Sequence, residues 1–318
     1  MSTSGSYSFT VNRDQIIRQA MLTIGKLDES EVPNAQEVSD CAFTLNLLIK
    51  QWQGRTDFAP GLKVWTRRRG HLFLNGASGQ YSVGPSAVGW TENYVYPLTT
   101  AGANAAATAV VVSSASGIAT GYNIGVQLDS GLLFWTTVAS VAGTTVNLNA
   151  PLPSKSSSGS QVFAYQTTAQ QPLTIETAVL RDNQLNDTPM KIMTVQDYDY
   201  LPSKVAPLNI GDPTAIYYEF QLGNSYLYTD IAAAQDVSKH LVLTYLESVQ
   251  DVLQASDNFE YPQEWFLPLS LGLGKQIAPM FNASWTALMQ DNYVEALSIA
   301  RRKDPERSSM FFQPGAEE

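Results

Sequence analysis

The chain has 318 residues, 44% of them hydrophobic, and carries 29 acidic against 19 basic side chains for a net charge of −10. That length allows one large domain or two ordinary ones, and the apolar share supplies a real core and argues against disorder. The acid excess disfavours free-standing nucleic-acid binding, which needs basic patches, and a single cysteine, Cys41, excludes an intrachain disulfide framework.

Ile16, Ile17, Ala20, Met21 and Ile24 recur at helical steps and predict a helix over 12–25. The stretch Asn34–Gly54 is the stronger signal. Val38, Cys41, Ala42, Leu45, Leu48, Ile49 and Trp52 form one apolar face, with Pro33 before the helix and Gly54 after it. Two amphipathic helices joined by a short acidic turn predict an antiparallel pair. Cys41 falls on the apolar face, so it is read as a core residue.

Short strands are expected at Leu62–Trp65, Leu72–Leu74 and Gln80–Val83. Between the first two runs Arg67-Arg68-Arg69. It is either a phosphate contact or a solvated strand edge or inter-subunit ion pair. From about Leu98 the composition shifts to Thr, Ala, Ser, Gly and Val. Strands are predicted there at Thr108–Ser113, Asn123–Asp129, Leu132–Val138, Thr144–Leu148 and Gln161–Tyr165, with turns at Asp129-Ser130-Gly131 and Ala142-Gly143. Regular alternation, with Phe134 and Trp135, favours a small folded β-barrel or sandwich over a flexible linker.

After Pro172, alternation through Leu173, Ile175, Thr177 and Val179 predicts another strand. Thr194 and Asp197 have capping-box spacing, which places a short helix near Asp197–Leu201. Ile216, Tyr218 and Phe220 face Tyr226 and Tyr228 in a hairpin around Gly223-Asn224, and Lys239–Leu246 is a further strand. Pro262 and Glu264 then suit a helix start, and Trp265, Leu269, Leu273 and Ile277 step by four. Pro268 predicts a kink, and Gly272 and Gly274 each cost about 1 kcal/mol relative to Ala, so surrounding packing has to hold this helix. A last helix is predicted over Ser284–Lys303 with Trp285, Leu288, Met289, Tyr293, Ala296 and Ile299 inward. Beyond it, Met310, Phe311 and Phe312 stand in an otherwise polar stretch, as a docking anchor does.

Catalytic signals are scarce. His71 and His240 lie far apart in strand-like contexts and read as half-buried strand residues. Ser270–Lys275 lacks the first glycine of a phosphate loop and lies mid-helix. Asp257, Glu260 and Glu264 could serve glycoside hydrolysis, but acids at a helix start ordinarily partner its dipole. No catalytic residue, no cofactor and no metal ligand is assigned, so the chain is read as a non-enzyme. No apolar run approaches a membrane span and the polar N-terminus lacks a signal-peptide core, so a soluble cytoplasmic chain without membrane contact is expected.

Taken together, the segments resemble the head-to-tail adaptor family of short-tailed bacteriophages, also called tail accessory, head-completion or packaged-DNA-stabilisation proteins. The resemblance runs through Ile16-Ile17, Ala20, Gly25, Pro33, Glu37, Leu45-Asn46, Leu48 and Trp52. It continues through Tyr81, Gly84, Pro172, Ile175, Ala178, Pro189-Met190, Asp197-Tyr198, Lys204, Gly211, Pro213 and Leu227-Tyr228. It ends with Pro262, Glu264, Leu269, Leu273 and Ala278-Pro279, and covers nearly everything except 98–169.

The resemblance implies an α+β fold: a helical-bundle core with accompanying short antiparallel strands and an inserted small all-β module. Core anchors would be Leu45, Trp52, Trp265, Leu269 and Leu273. The segments would be 1–97 and 170–303 for the core, 98–169 for the insert and 304–318 for a docking tail. It further implies a homo-oligomeric ring, dodecameric in the family, below the portal protein. Tail nozzle or tail fibre proteins would dock on the ring, and, given the acid excess, genomic double-stranded DNA would pass through an acidic or neutral lumen without tight binding. The chain would be found in the virion neck or tail, and in the host cytoplasm during assembly. Met310, Phe311 and Phe312 would reach the portal. The rival readings are a virion-associated peptidoglycan hydrolase and a capsid-decorating or receptor-binding β protein.

Overall fold

The computed structural model describes residues 5, 9–54, 64–76, 78–202, 204, 210–233 and 238–302. Met310, Phe311 and Phe312, the stretch 304–318, and Leu62 with Lys63 of the first expected strand lie outside the described residues. The chain divides into two units, Met1–Thr66 with Ser248–Glu318, and Arg67–Glu247.

In chain order, helices α1 (Arg13–Thr23) and α2 (Ala35–Gln53) precede strands β1 (Arg67–Phe73), β2 (Gln80–Val83) and β3 (Trp90–Thr91). Next come β4 (Ala109–Val111), β5 (Asn123–Gln127), β6 (Leu133–Ala142), β7 (Thr145–Leu148) and β8 (Val162–Tyr165). After β9 (Pro172–Arg181) and β10 (Asp187–Met193) stand the short α3 (Val195–Asp199) and β11 (Ile210–Gly211). Then follow β12 (Ala215–Glu219), β13 (Ser225–Thr229), β14 (Ala232–Ala233), β15 (His240–Glu247), α4 (Phe266–Ile277) and α5 (Ala287–Arg302).

The first unit is helical. Its two leading helices start on capping boxes, Asn12 with Gln15 and Asn34 with Glu37, each satisfying orphan backbone N–H groups at both positions. Lys26, just past α1, pairs with Glu37 in the first turn of α2 at 3.0 Å and holds that carboxyl below its ordinary range. α4 is buried nearly all round, through Phe266, Leu269, Leu271, Leu273 and Ile277, which is what a helix apolar on every side requires. Pro268 lies in its first turn, where no intrahelical N–H is lost, so the cause of the expected kink is absent. Gly272 is the contact point: a Cβ there would stand 3.2–3.3 Å from Trp52, Leu48 and Tyr293. Close packing of α2 and α5 against α4 thus offsets the glycine's helix cost. Leu45, Trp52, Trp265, Leu269 and Leu273 all lie in this unit's core, with Trp52 and Trp265 edge to face at 5.7 Å.

The expected α+β fold class does not hold. The chain does not have a helical-bundle core with accompanying strands. Its larger part is β, dominated by a nearly closed, eight-stranded sheet in the order β2-β13-β12-β10-β9-β15-β1-β3. Among the described residues every neighbour pair in it is antiparallel except β10 with β12. The strands that read as short separate pieces join through distant pairings, Arg67–Phe73 of β1 running against Leu246–His240 of β15. Leu72, Val83, Trp90, Ile216, Leu227, Leu241, Leu243 and Tyr245 fill one face of this sheet. Gly70 makes room for Trp90: a Cβ would fall 2.1 Å from the indole.

The five strands β4 to β8 form a separate sheet in the order β4-β7-β6-β5-β8. Val110, Ile124, Val126, Val138, Val146, Leu148 and Val162 make its core. β8, reading VFAY, is buried on both faces. Val162 and Ala164 enter the core of the five-stranded sheet, while Phe163 packs on Phe73 of β1 with ring centroids 4.4 Å apart.

Candidate functional site

The polar groups with most chemistry collect on one face of β1, β15 and β9. His71 and His240 are 169 positions apart, yet Nδ1 of the first and Nε2 of the second meet at 3.1 Å, with the Tyr94 hydroxyl 3.4 Å from the same Nε2. The antiparallel register explains it: Phe73 lies opposite His240 and His71 opposite Val242, so the two imidazoles are diagonal neighbours on one face. Both histidines stand on strands as read, His71 half-buried and His240 buried, and the register adds that they are neighbours. Next to them on β9, Arg181 grips Asp187 through Nε and Nη2 at 2.6 and 2.7 Å, holding that carboxyl below its usual range.

Burial, aided by Arg181, pushes His71 down to about 4 and His240 to about 3, so both rings are neutral at physiological pH. The adjoining cavity, lined by Tyr94, Tyr96, Phe163 and His240, holds about 10 Å³. That is close to the minimum for a single water and far below what a substrate needs. The cluster is a packed joint.

The arginine run is mostly committed. Arg67 pairs with Glu176 (Nη2 to Oε1, 3.2 Å) and Arg68 with Glu247 at 2.8 Å, while Arg69 is exposed. Asp257 accepts the backbone N–H groups of Leu253 and Gln254 at 2.8 and 2.7 Å, which lower its pKa and tie it to a turn. Ser270–Lys275 lies inside α4. Cys41 is fully buried, and burial pushes its thiol up to about 11. Among the described residues there is no cluster of three or more metal-ligating side chains, and no helix is long and apolar enough to cross a membrane.

The helical unit carries the open surfaces. A groove of about 660 Å³ runs between α2, α4 and α5. Its lining includes Leu48, Trp52, Tyr293 and Leu297, with Lys275, Arg301 and Arg302. On α2, Phe43 and Leu47 are 68% and 55% exposed, one turn apart on the same ridge. The expected inward set on α5 is corrected in part: Ala296 is buried as expected, Leu288 and Ile299 are exposed, and Leu297 and Ala300 are buried besides. Asn46, named above only as one residue of the resemblance, has a structural role that the sequence does not show. Its side chain donates to the Val252 carbonyl at 3.0 Å and accepts the Val252 N–H at 3.1 Å, clamping the returning chain to α2.

No family model matches the chain, and no curated protein matches it. Among solved structures, one likeness is to the Gp54 tailspike of Acinetobacter baumannii bacteriophage AP22 in complex with A. baumannii capsular saccharide. Identity is 16%, over 25% of this chain and 16% of that one, with a TM-score of 0.21. The chain thus spans about a sixth of that protein's length, a likeness too slight to carry any argument.

Proposed function

We propose that this chain is a structural virion protein, a head-to-tail adaptor whose copies form a ring below the portal, extend the DNA channel and offer a docking surface to later tail proteins. The observation that carries the reading is the apolar ridge Phe43–Leu47, left in water on an otherwise well-packed helix. Leu288 and Ile299 on α5 add to it. Large apolar side chains at such positions are what subunit contacts cover. The segments carrying the sequence resemblance include α2, through Leu45-Asn46, Leu48 and Trp52. The family's helical-bundle fold does not come with the proposal. Contact with the portal falls to Met310, Phe311 and Phe312, and the exposed Arg69 is available for an inter-subunit or phosphate contact.

A hydrolase reading is weaker, because Asp257, one of its three acids, is tied to backbone N–H groups. The test is a double variant, Phe43→Glu with Leu47→Glu. Since both residues are exposed, the thermal midpoint of the free protein should stay within about 2 °C. Co-sedimentation with portal rings should fall at least roughly tenfold, as burying two charges in a subunit contact costs far more than that. Undiminished co-sedimentation would remove this ridge from the assembly.

A further inference from the structure

Three tyrosines meet on the face of the eight-stranded sheet opposite its core. Tyr217 of β12 stands across from Tyr228 of β13, and alternation turns both away from the buried Ile216 and Leu227. The short α3 lays Tyr198 against both. Ring centroids lie 5.2 Å apart for Tyr198 with Tyr217, 5.2 Å for Tyr198 with Tyr228 and 5.8 Å for Tyr217 with Tyr228, with planes 23°, 42° and 20° apart. In a column the outer two rings would stand about twice as far apart as neighbours, so these three pave a surface like overlapping tiles. All three are half-buried.

Carboxylates edge the paving. Glu219 accepts a hydrogen bond from the Tyr228 hydroxyl and another from the Gln221 side-chain amide at 3.2 Å. Burial raises the hydroxyls of Tyr217 and Tyr228 above their ordinary range; the charge of Glu219 adds to both, and that of Asp199 to Tyr217. Such a border repels phosphate and attracts cations. One cation is already in place. Lys204 Nζ stands 4.5 Å from the Tyr198 ring centroid and 3.5 Å from the Asp199 carboxylate. A ring face beside a carboxylate is thus how this surface holds a cation, and Tyr217 and Tyr228 repeat the combination with Glu219.

We propose that Tyr198, Tyr217 and Tyr228, with Glu219, receive an arginine side chain of a partner protein. A guanidinium is flat, always charged and stacks on aromatic faces, and its fork of N–H donors suits a carboxylate beside the ring. Tyrosine and arginine are also among the residues that concentrate binding energy in protein contacts. The three rings belong to the β unit and the Phe43–Leu47 ridge to the helical one, so this contact does not depend on the portal reading.

The test is a titration of the free full-length protein, with isotope-labelled tyrosine rings followed by NMR. The probe is the peptide acetyl-Gly-Arg-Gly-amide, set against acetyl-Gly-Gln-Gly-amide, maltotetraose and tetrathymidylate. The arginine peptide should shift the three rings saturably and bind about threefold or more tightly than the glutamine peptide. Tyr217→Leu removes a ring at unchanged charge and should erase that margin, whereas Tyr217→Phe, which keeps the ring, should retain it. Should Tyr217→Leu lose its native circular dichroism, Glu219→Gln takes its place, keeps every ring and should erase the same margin. No saturable shift with the arginine peptide, or a margin that survives the substitution, would overturn the proposal. Tighter binding of maltotetraose or tetrathymidylate would overturn it too, in favour of a glycan or a single-stranded nucleic acid. No portal enters the titration, so this contact and the ring can fail separately.

Discussion

Two imidazoles held neutral inside a sheet make stability depend on pH in a defined direction. In an unfolded chain each is an ordinary histidine near 6.5. In the fold, His71 is held to about 4 and His240 to about 3, with Arg181, Arg69, Asp187 and Tyr94 as the charged and titratable groups around them. The unfolded chain therefore binds protons first as pH falls. The pair's contribution is whole above about 6.5 and is lost progressively toward about 3. Between pH 7 and 5, before most carboxylates titrate, the urea midpoint of the native protein should fall more steeply than that of a His71→Gln, His240→Gln variant. Equal slopes would mean that the rings titrate freely and that the joint is not closed. The pair itself was illegible in the sequence. Two strand histidines become neighbours only once the register of β1 against β15 is known.

At the scale of elements, the strands β4 to β8 test how the β unit is held together. Joining Pro97 to Gln171 through a short Gly/Ser bridge removes the five-stranded sheet and takes Phe163 off Phe73, which is only 4% exposed with its cover in place. The excised chain should keep its helical circular dichroism but bind an apolar dye, and Phe73→Thr in the same background should suppress that binding. Loss of the helical signal would show that the helices depend on the insert. These strands were legible because short apolar runs stand between turn residues and several alternate, as Ile124, Val126 and Leu128 do before Asp129-Ser130-Gly131. α1 and α2 were legible for the same kind of reason, and their Asn-x-x-Gln and Asn-x-x-Glu caps are written at Asn12 and Asn34. β1 was read short because three arginines look like a break. Glu176 and Glu247, distant in sequence, neutralise two of them and let the strand begin at Arg67.

For the molecule as a whole, the misjudged quantity was the balance between helix and sheet. Periodicity finds strands but names no partners. The pairing of β1 with β15, and of β2 with β13, makes one eight-stranded sheet out of what read as accessories to a bundle. The helical unit, built from both ends of the described chain, nevertheless keeps the apolar surfaces that call for company: Phe43 and Leu47 on α2, Leu288 and Ile299 on α5. Assembly is the central claim. Native mass spectrometry of the protein mixed with portal rings tests it most directly. The account predicts a complex whose added mass is a fixed, whole number of 34.7 kDa subunits matched to the portal's symmetry. A spectrum showing only free portal and free protein, across concentrations that saturate the ring, would contradict it.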